Sequence, residues 1–185
     1  DITALKKAEQ ALRESEERFR SVVEKSLIGI AVIDEASRYA YVNEEFCAMS
    51  GYARPEIIGR DFAFLLTEES RQLSVEGNQR RQRGEDALAQ YEFSFVRKSG
   101  ERRIGEVRSS VYHDSSGKVK SIIQTIDITK RKQAEIALQE SEKRYRALFE
   151  SGGDAIFILK DDRVIDCNNK TLEMWSFLSN VLYQY

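Results

Sequence analysis

The chain has 185 residues, 41% hydrophobic and 32% charged, with a formal net charge of −2. That is a globular composition with a long polar helical part, and the near-neutral charge supplies no broad field toward nucleic acid or an anionic membrane. One His and two Cys exclude an all-N/S structural zinc site, and no apolar run approaches the roughly 20 residues of a membrane helix.

The first predicted element is a helix over residues 4–26. Leu5, Ala8, Leu12, Ser15, Phe19, Val22 and Ser26 alternate by three and four, an a/d heptad stripe. Ala and Ser weaken the seam. It reads as a parallel coiled coil or as an amphipathic helix lying on its own domain, and a homodimer is the expectation. Leu27–Asp34 is an apolar strand, Glu35-Ala36-Ser37 a turn, and Arg38–Asn43 a second strand with Tyr39 and Tyr41 on one face. Asn43 suits the N-cap of a short helix, Glu44–Ser50, with Phe46 and Met49 inward. Gly51 suits its left-handed C-cap. Pro55 opens another short helix, which Gly59 closes.

Thr67 or Glu68 starts a longer helix through about Arg83. Its few apolar residues are Leu73 and Val75, so it reads as largely solvated, as does the cluster Arg80-Arg81-Gln82-Arg83. Three strands follow, Leu88–Lys98, Glu101–Asp114 and Lys118–Ile128, joined by turns at Ser99-Gly100 and Ser115-Ser116-Gly117. Two strands, helices and three hairpin strands predict an α+β domain with an antiparallel sheet and helices on one face.

Asp127-Ile128-Thr129 opens a second charged helix, through Phe149, that repeats the first. Asp1 aligns with Asp127, an offset of 126, and thirteen of the first twenty positions are identical. The register is expected to continue without a gap, pairing Ile30 with Ile156, Val32 with Ile158 and Asn43 with Asn169. Ala134, Leu138, Ser141, Tyr145 and Leu148 repeat the weak seam. Strands at Ala155–Leu159 and Arg163–Cys167 then begin a second domain. The expected division is 1–26, a linker helix; 27–129, a domain; 130–150, a linker helix; and 151–185, the start of another domain. Two strands alone leave an exposed edge, so the tail is expected to pack on another chain or on the first domain. The chain begins in mid-pattern without Met and reads as a piece of a longer protein. Cys47 and Cys167 form no disulfide framework, and a reducing cytoplasm fits them.

Taken in order, Asn43-Glu44-Glu45-Phe46 through Gly51-Tyr52, Ile58-Gly59-Arg60, Arg97-Lys98-Ser99-Gly100 and Asp127-Ile128-Thr129 resemble a PAS domain over about residues 16–129. The stretch Arg-x-x-Glu-Ser-Glu before each domain resembles the linker between PAS repeats. Asp154-Ala155-Ile156 and Cys167-Asn168-Asn169 resemble the start of a second one. The resemblance implies a five-stranded antiparallel sheet of order 2-1-5-4-3 with helices over one face. It also implies sensing and signal relay, upstream of a histidine kinase or a cyclic-dinucleotide enzyme.

The family's flavin-binding light sensors carry Gly-Arg-Asn-Cys-Arg-Phe-Leu where this chain has Gly59-Arg60-Asp61-Phe62-Ala63-Phe64-Leu65. Phe62 stands at the photoreactive Cys, and adduct chemistry needs a thiol. Ile104-Gly105 lies where an aromatic-Asn pair is expected. Haem sensors take an axial His from the long helix. Residues 67–83 contain none, and the single His113 sits near a strand end. No cofactor is expected. Nor is an enzyme expected within this chain, which shows no nucleophile–base pair or phosphate loop.

Two sets of residues remain as candidate sites. Ile30, Val32, Phe46, Met49, Phe64, Leu65, Phe93, Val107, Ile122 and Gln124 would line a ligand pocket, with a filled core as the alternative. Asp127 and Thr129 would accept bonds from the free N–H groups of the following helix, without a capping box. Asp127 would also pair with Arg103 or Arg108. That junction is the expected output lever between domain and helix.

Overall fold

The computed structural model describes residues 2–182; Asp1 of the repeated stretch and residues 183–185 of the tail lie outside it. It contains two compact units, Asp1–Lys130 and Arg131–Tyr185. In the first, α1 (Ile2–Glu24) precedes β1 (Gly29–Ile33), β2 (Tyr39–Val42), α2 (Glu44–Ser50), α3 (Arg54–Ile57), a 3₁₀ turn (Phe62–Leu65), α4 (Glu68–Gln82), β3 (Gln90–Val96), β4 (Arg102–His113) and β5 (Val119–Asp127). The five strands form one antiparallel sheet of order β2-β1-β5-β4-β3. This is the α+β architecture anticipated above.

Helix ends follow local chemistry. Asn43 caps α2 by accepting from the Phe46 amide, and Gly51 ends it at φ 77°. The core between sheet and helices gathers Ala31, Ile33, Tyr39, Phe46, Ile57 and Phe95. Tyr39 donates to the Phe62 carbonyl at 3.2 Å. Burial, reinforced by the nearby Asp61 charge, pushes its phenol pKa above the ordinary range.

Three faces differ from expectation. In β1 the inward residues are Gly29, Ala31 and Ile33, so Ile30 and Val32 lie on the other face. The strand is apolar on both faces, so alternation carries no phase. In β5 the inward residues are Ser121, Ile123 and Thr125, which leaves Ile122 and Gln124 on the outer face. Tyr39 and Tyr41 do not share a face. A bulge pairs Val32 with Tyr41 but Ile33 with Tyr39, making Ala40 the extra residue.

The helix α4 is also not merely solvated. It turns a polar stripe inward: Ser74, Asn78 and Arg81 are buried, whereas Leu73 is 49% exposed. Arg81 is therefore not part of a solvated basic face.

The helix α5 (Thr129–Ser151) continues into the second unit, which holds β6 (Phe157–Lys160), β7 (Arg163–Cys167) and α6 (Asn169–Leu182). Its two strands pair antiparallel. Phe157, Leu159, Val164, Ile165 and Trp175 are exposed there. The counterpart of Asn43 is Asn168, not Asn169. Ile33 to Tyr39 is six steps, but the matching span from Leu159 to Val164 is five, so the offset falls from 126 to 125. The lost residue is absorbed by a tighter turn in which Asp161 and Asp162 both have positive φ. Among the described residues, no helix is long and apolar enough to cross a membrane.

Candidate functional site

The first unit contains a cavity of about 50 Å³ between α4 and the sheet. Five expected residues line it: Phe46, Met49, Leu65, Phe93 and Val107. Ile30, Val32, Ile122 and Gln124 do not, because they point to the opposite sheet face. Phe64 does not either. In a 3₁₀ turn residues three apart share a side, so Phe62 and Leu65 point inward while Phe64 packs on Tyr39 and Tyr52 beneath the Arg60 guanidinium.

The sequence reading missed the polar wall. Ser74, Asn78 and Arg81 from α4 and Thr125 from β5 line the same cavity. Their spacing on α4, four residues and then three, is a helical face made of polar residues, and a search for apolar stripes passes over it. Asn78 Oδ1 accepts the Ser121 hydroxyl at 2.7 Å, which leaves its NH₂ as the free end. Arg81 donates to the Leu88 carbonyl at 2.8 Å. Yet Ser74 Oγ, Asn78 Nδ2, Arg81 Nε and Thr125 Oγ1 are buried with no hydrogen-bond partner among the described residues. A buried orphan polar atom costs about 1–3 kcal/mol, so four around one cavity need an explanation beyond packing.

Gly105 shapes the opposite wall. A Cβ there would sit 2.6 Å from Phe93 Cε1 and 2.7 Å from Cζ. The Phe93 ring thus lies over Gly105, its partner across β3 and β4, and lines the cavity.

The exit from the sheet is tied on both sides. Thr129 N–H donates to Asp127 Oδ1 at 2.9 Å, the expected cap. Asp127 Oδ2 pairs with Arg103 at 3.3 Å. Arg108, the other candidate, instead donates to Gln90 at 3.1 Å. The Thr129 hydroxyl does not cap α5. It accepts the Ile104 amide at 2.9 Å, while the Ile128 amide donates to the Ile104 carbonyl at 2.9 Å. Both backbone groups of Ile104 on β4 are therefore spent on the first residues leaving β5.

The entrance is tied as well. Asn43, fully buried, accepts the Ile30 amide at 2.8 Å and the Phe46 amide at 3.0 Å, and donates to the carbonyls of Val23 at 2.9 Å and Ile28 at 3.0 Å. Every hydrogen-bonding site of its amide is used. Glu24, the last residue of α1, accepts from Tyr41 at 2.8 Å, Arg54 at 2.7 Å and the Glu44 amide at 3.1 Å. Burial works against its charge, but the bonds from Tyr41 and Arg54 outweigh it and hold its pKa below the ordinary value. Burial and the Glu24 bond push Tyr41 up to about 12.

A five-stranded sheet of this order, a helix-covered cavity and helices anchored at both ends define a sensory-domain fold. The family model for PAS domains matches residues 27–130, and a second matches residues 143–183. The chain belongs to the PAS domain family. Sporulation kinase E of Bacillus subtilis is 25% identical over 185 residues, 98% of this chain and 24% of that protein. The probable diguanylate cyclase DgcE of Escherichia coli is 26% identical over 147 residues, 79% of this chain and 13% of that protein. The chain thus spans about a quarter or less of the curated relatives it matches. A PAS domain of an HTR-like protein from Haloarcula marismortui superposes with TM-score 0.53 at 24% identity, over 66% of this chain and 99% of that one. That likeness concerns the fold.

Proposed function

We propose that this chain is a non-enzymatic relay within a larger cytoplasmic signalling protein, passing a change in its first PAS domain through Asp127 and Thr129 into α5. The observation that carries this reading is Ile104, bonded by both its amide and its carbonyl to Thr129 and Ile128. A shift of β4 against β5 must break or drag these bonds, and α5 starts at Thr129. Two packings of α5 then give two outputs. The downstream output domain is a histidine kinase or a cyclic-dinucleotide enzyme; the two curated relatives are by name a kinase and a diguanylate cyclase.

In the same proposal the chain is a homodimer through helices 4–26 and 130–150. Leu5, Leu12, Phe19 and Val22 on α1 are each more than 60% exposed, as are Leu138 and Leu148 on α5. Such stripes are covered in a helical dimer. Native mass spectrometry of the chain tests this: a dimer supports it, and a monomer at micromolar concentration overturns it. Asp127→Ala in the full-length protein tests the relay. Altered output is expected, with a stability loss of no more than about 2 kcal/mol from the missing cap, and unchanged output refutes it.

A second reading makes the first domain a small-molecule sensor. The four orphan polar atoms around the cavity favour it. Flavin-adduct and haem chemistry form no part of it: among the described lining residues Phe62 stands in place of a thiol and none is a His.

A further inference from the structure

The geometry points to a short-chain monocarboxylate as the occupant of the cavity between α4 and the sheet, held by Arg81, Asn78, Ser74 and Thr125; this deepens the sensor reading and rests on it. The free ends on the polar wall are donors. Asn78 presents its NH₂ because its oxygen already accepts from Ser121. Arg81 Nε–H is unbonded, and the hydroxyls of Ser74 and Thr125 hold protons with no acceptor among the described residues. A wall of donors selects an acceptor.

Charge narrows the choice. Arg81 is 92% buried, its relative exposure being 8%, and among the described residues its bond is to a neutral carbonyl. Among the described residues, no Asp or Glu lines the cavity. A guanidinium withdrawn from water without a counter-charge is completed by an anion. One cation and neutral donors match a single negative charge.

The remaining wall decides between anions. Phe93 and Val107 on the sheet, with Thr125 paired to Val107, and Phe46 and Met49 on α2 make the rest of the lining apolar. A tetrahedral phosphate would leave oxygens against these apolar groups. A carboxylate places two oxygens on the donors and turns hydrocarbon to the rest. Size sets the length. A water needs about 10–15 Å³ by this measure, so about 50 Å³ holds a handful of non-hydrogen atoms. The fit is an acid of a few carbons, not a fatty acid.

The test is calorimetric titration of the 185-residue chain with acetate, propionate, butyrate and isovalerate. Butyramide, butanol and inorganic phosphate serve as controls. One of the acids is expected to bind saturably, with butyramide at least about tenfold weaker than butyrate, since a hydrogen bond to a charged group is the stronger kind. Arg81→Gln should remove that preference. Because Arg81 also holds the Leu88 carbonyl, Thr125→Val provides a second arm: about threefold weaker binding with an unlowered melting temperature. Equal binding of butyramide or butanol, or tighter binding of phosphate, overturns the carboxylate class and leaves the sensor reading standing. So does failure of all the acids while a native mass spectrum shows another bound mass. If none binds and the spectrum shows a bare chain, both readings fall.

Discussion

The side-chain amide of Asn43 donates to the Val23 carbonyl in the last turn of α1 at 2.9 Å, and Asn168 makes the same bond to Phe149 in the last turn of α5 at 3.0 Å. The surrounding bonds repeat too. Asn168 accepts from Ile156 and Thr171 and donates to Asp154, as Asn43 does with Ile30, Phe46 and Ile28. Glu150 accepts the Asn169 amide at 2.9 Å, as Glu24 accepts that of Glu44. Each linker helix thus enters its domain through one Asn that satisfies carbonyls the helix leaves open. The second copy keeps this grip but has Asp166, 125 positions on from Tyr41, where the first has a phenol. The Glu24–Tyr41 bond is therefore a feature of the first entrance.

Asn43 should accordingly be among the least replaceable residues in the first unit. Asn43→Ala strands the Ile30 and Phe46 amides and two carbonyls in a buried site. A loss of at least about 3 kcal/mol is expected. Asn43→Asp keeps both accepted bonds but loses both donated ones and buries a charge, so it should rescue little. Urea unfolding of the three proteins decides. A loss under about 1 kcal/mol for the Ala variant would mean the entrance is held elsewhere.

Glu24 predicts an acid-sensitive entrance. Its carboxyl is held below its ordinary pKa in the folded chain, so the stabilisation is fully present above the unfolded value and is lost as pH falls through the folded one. Glu24→Gln should cost about 1 kcal/mol at pH 7, modest because Arg54 is 42% exposed and solvent screens the pair. The difference from wild type should shrink as pH drops below the carboxylate range. Unfolding midpoints measured from pH 7 to pH 3 would show it, and a constant difference would refute it.

Much of this architecture was readable because several local signals agreed. Tyr91, Phe93 and Phe95 alternate cleanly with polar residues on β3, and Asn43 and Gly51 bracket α2 with residues suited to each cap. The strand phases of β1 and β5 were not readable. Ile30 and Val32 are as apolar as Ala31 and Ile33, and Ile122 competes with Ile123, so alternation could not choose a face. The cavity's polar wall was hidden for the opposite reason. Ser74, Asn78 and Arg81 look solvated by composition, and only the sheet packed over them makes them interior.

Gly105 sets the shape of that interior. In Gly105→Ala the new methyl meets the Phe93 ring at 2.6 Å and Thr125 Cγ2 at 3.2 Å. The ring must swing away from β4. Overpacking of this kind costs about 1–3 kcal/mol. Any ligand of the cavity should bind more weakly as well, because Phe93 lines it. Unfolding and titration together test this. An unchanged midpoint with unchanged Phe93 ring resonances would show that the wall yields without strain.

The junction makes a prediction that needs no ligand and no output domain. Thr129→Val keeps the shape of the side chain but removes the acceptor of the Ile104 amide, which Thr129 holds at 2.9 Å in a site only 7% exposed. That amide should exchange with solvent faster, and stability should fall by about 1–3 kcal/mol. Thr129→Ser keeps the hydroxyl and should protect the amide. Asp127→Ala instead removes the cap on Thr129 and the Arg103 pair, so it should fray the first turn of α5 while leaving Ile104 protected, at about 0.5–2 kcal/mol. Hydrogen exchange on the three variants separates the two halves of the junction. If Ile104 stays protected in Thr129→Val, the hydroxyl is not what couples β4 to the helix, and the relay must run through Asp127 and Arg103.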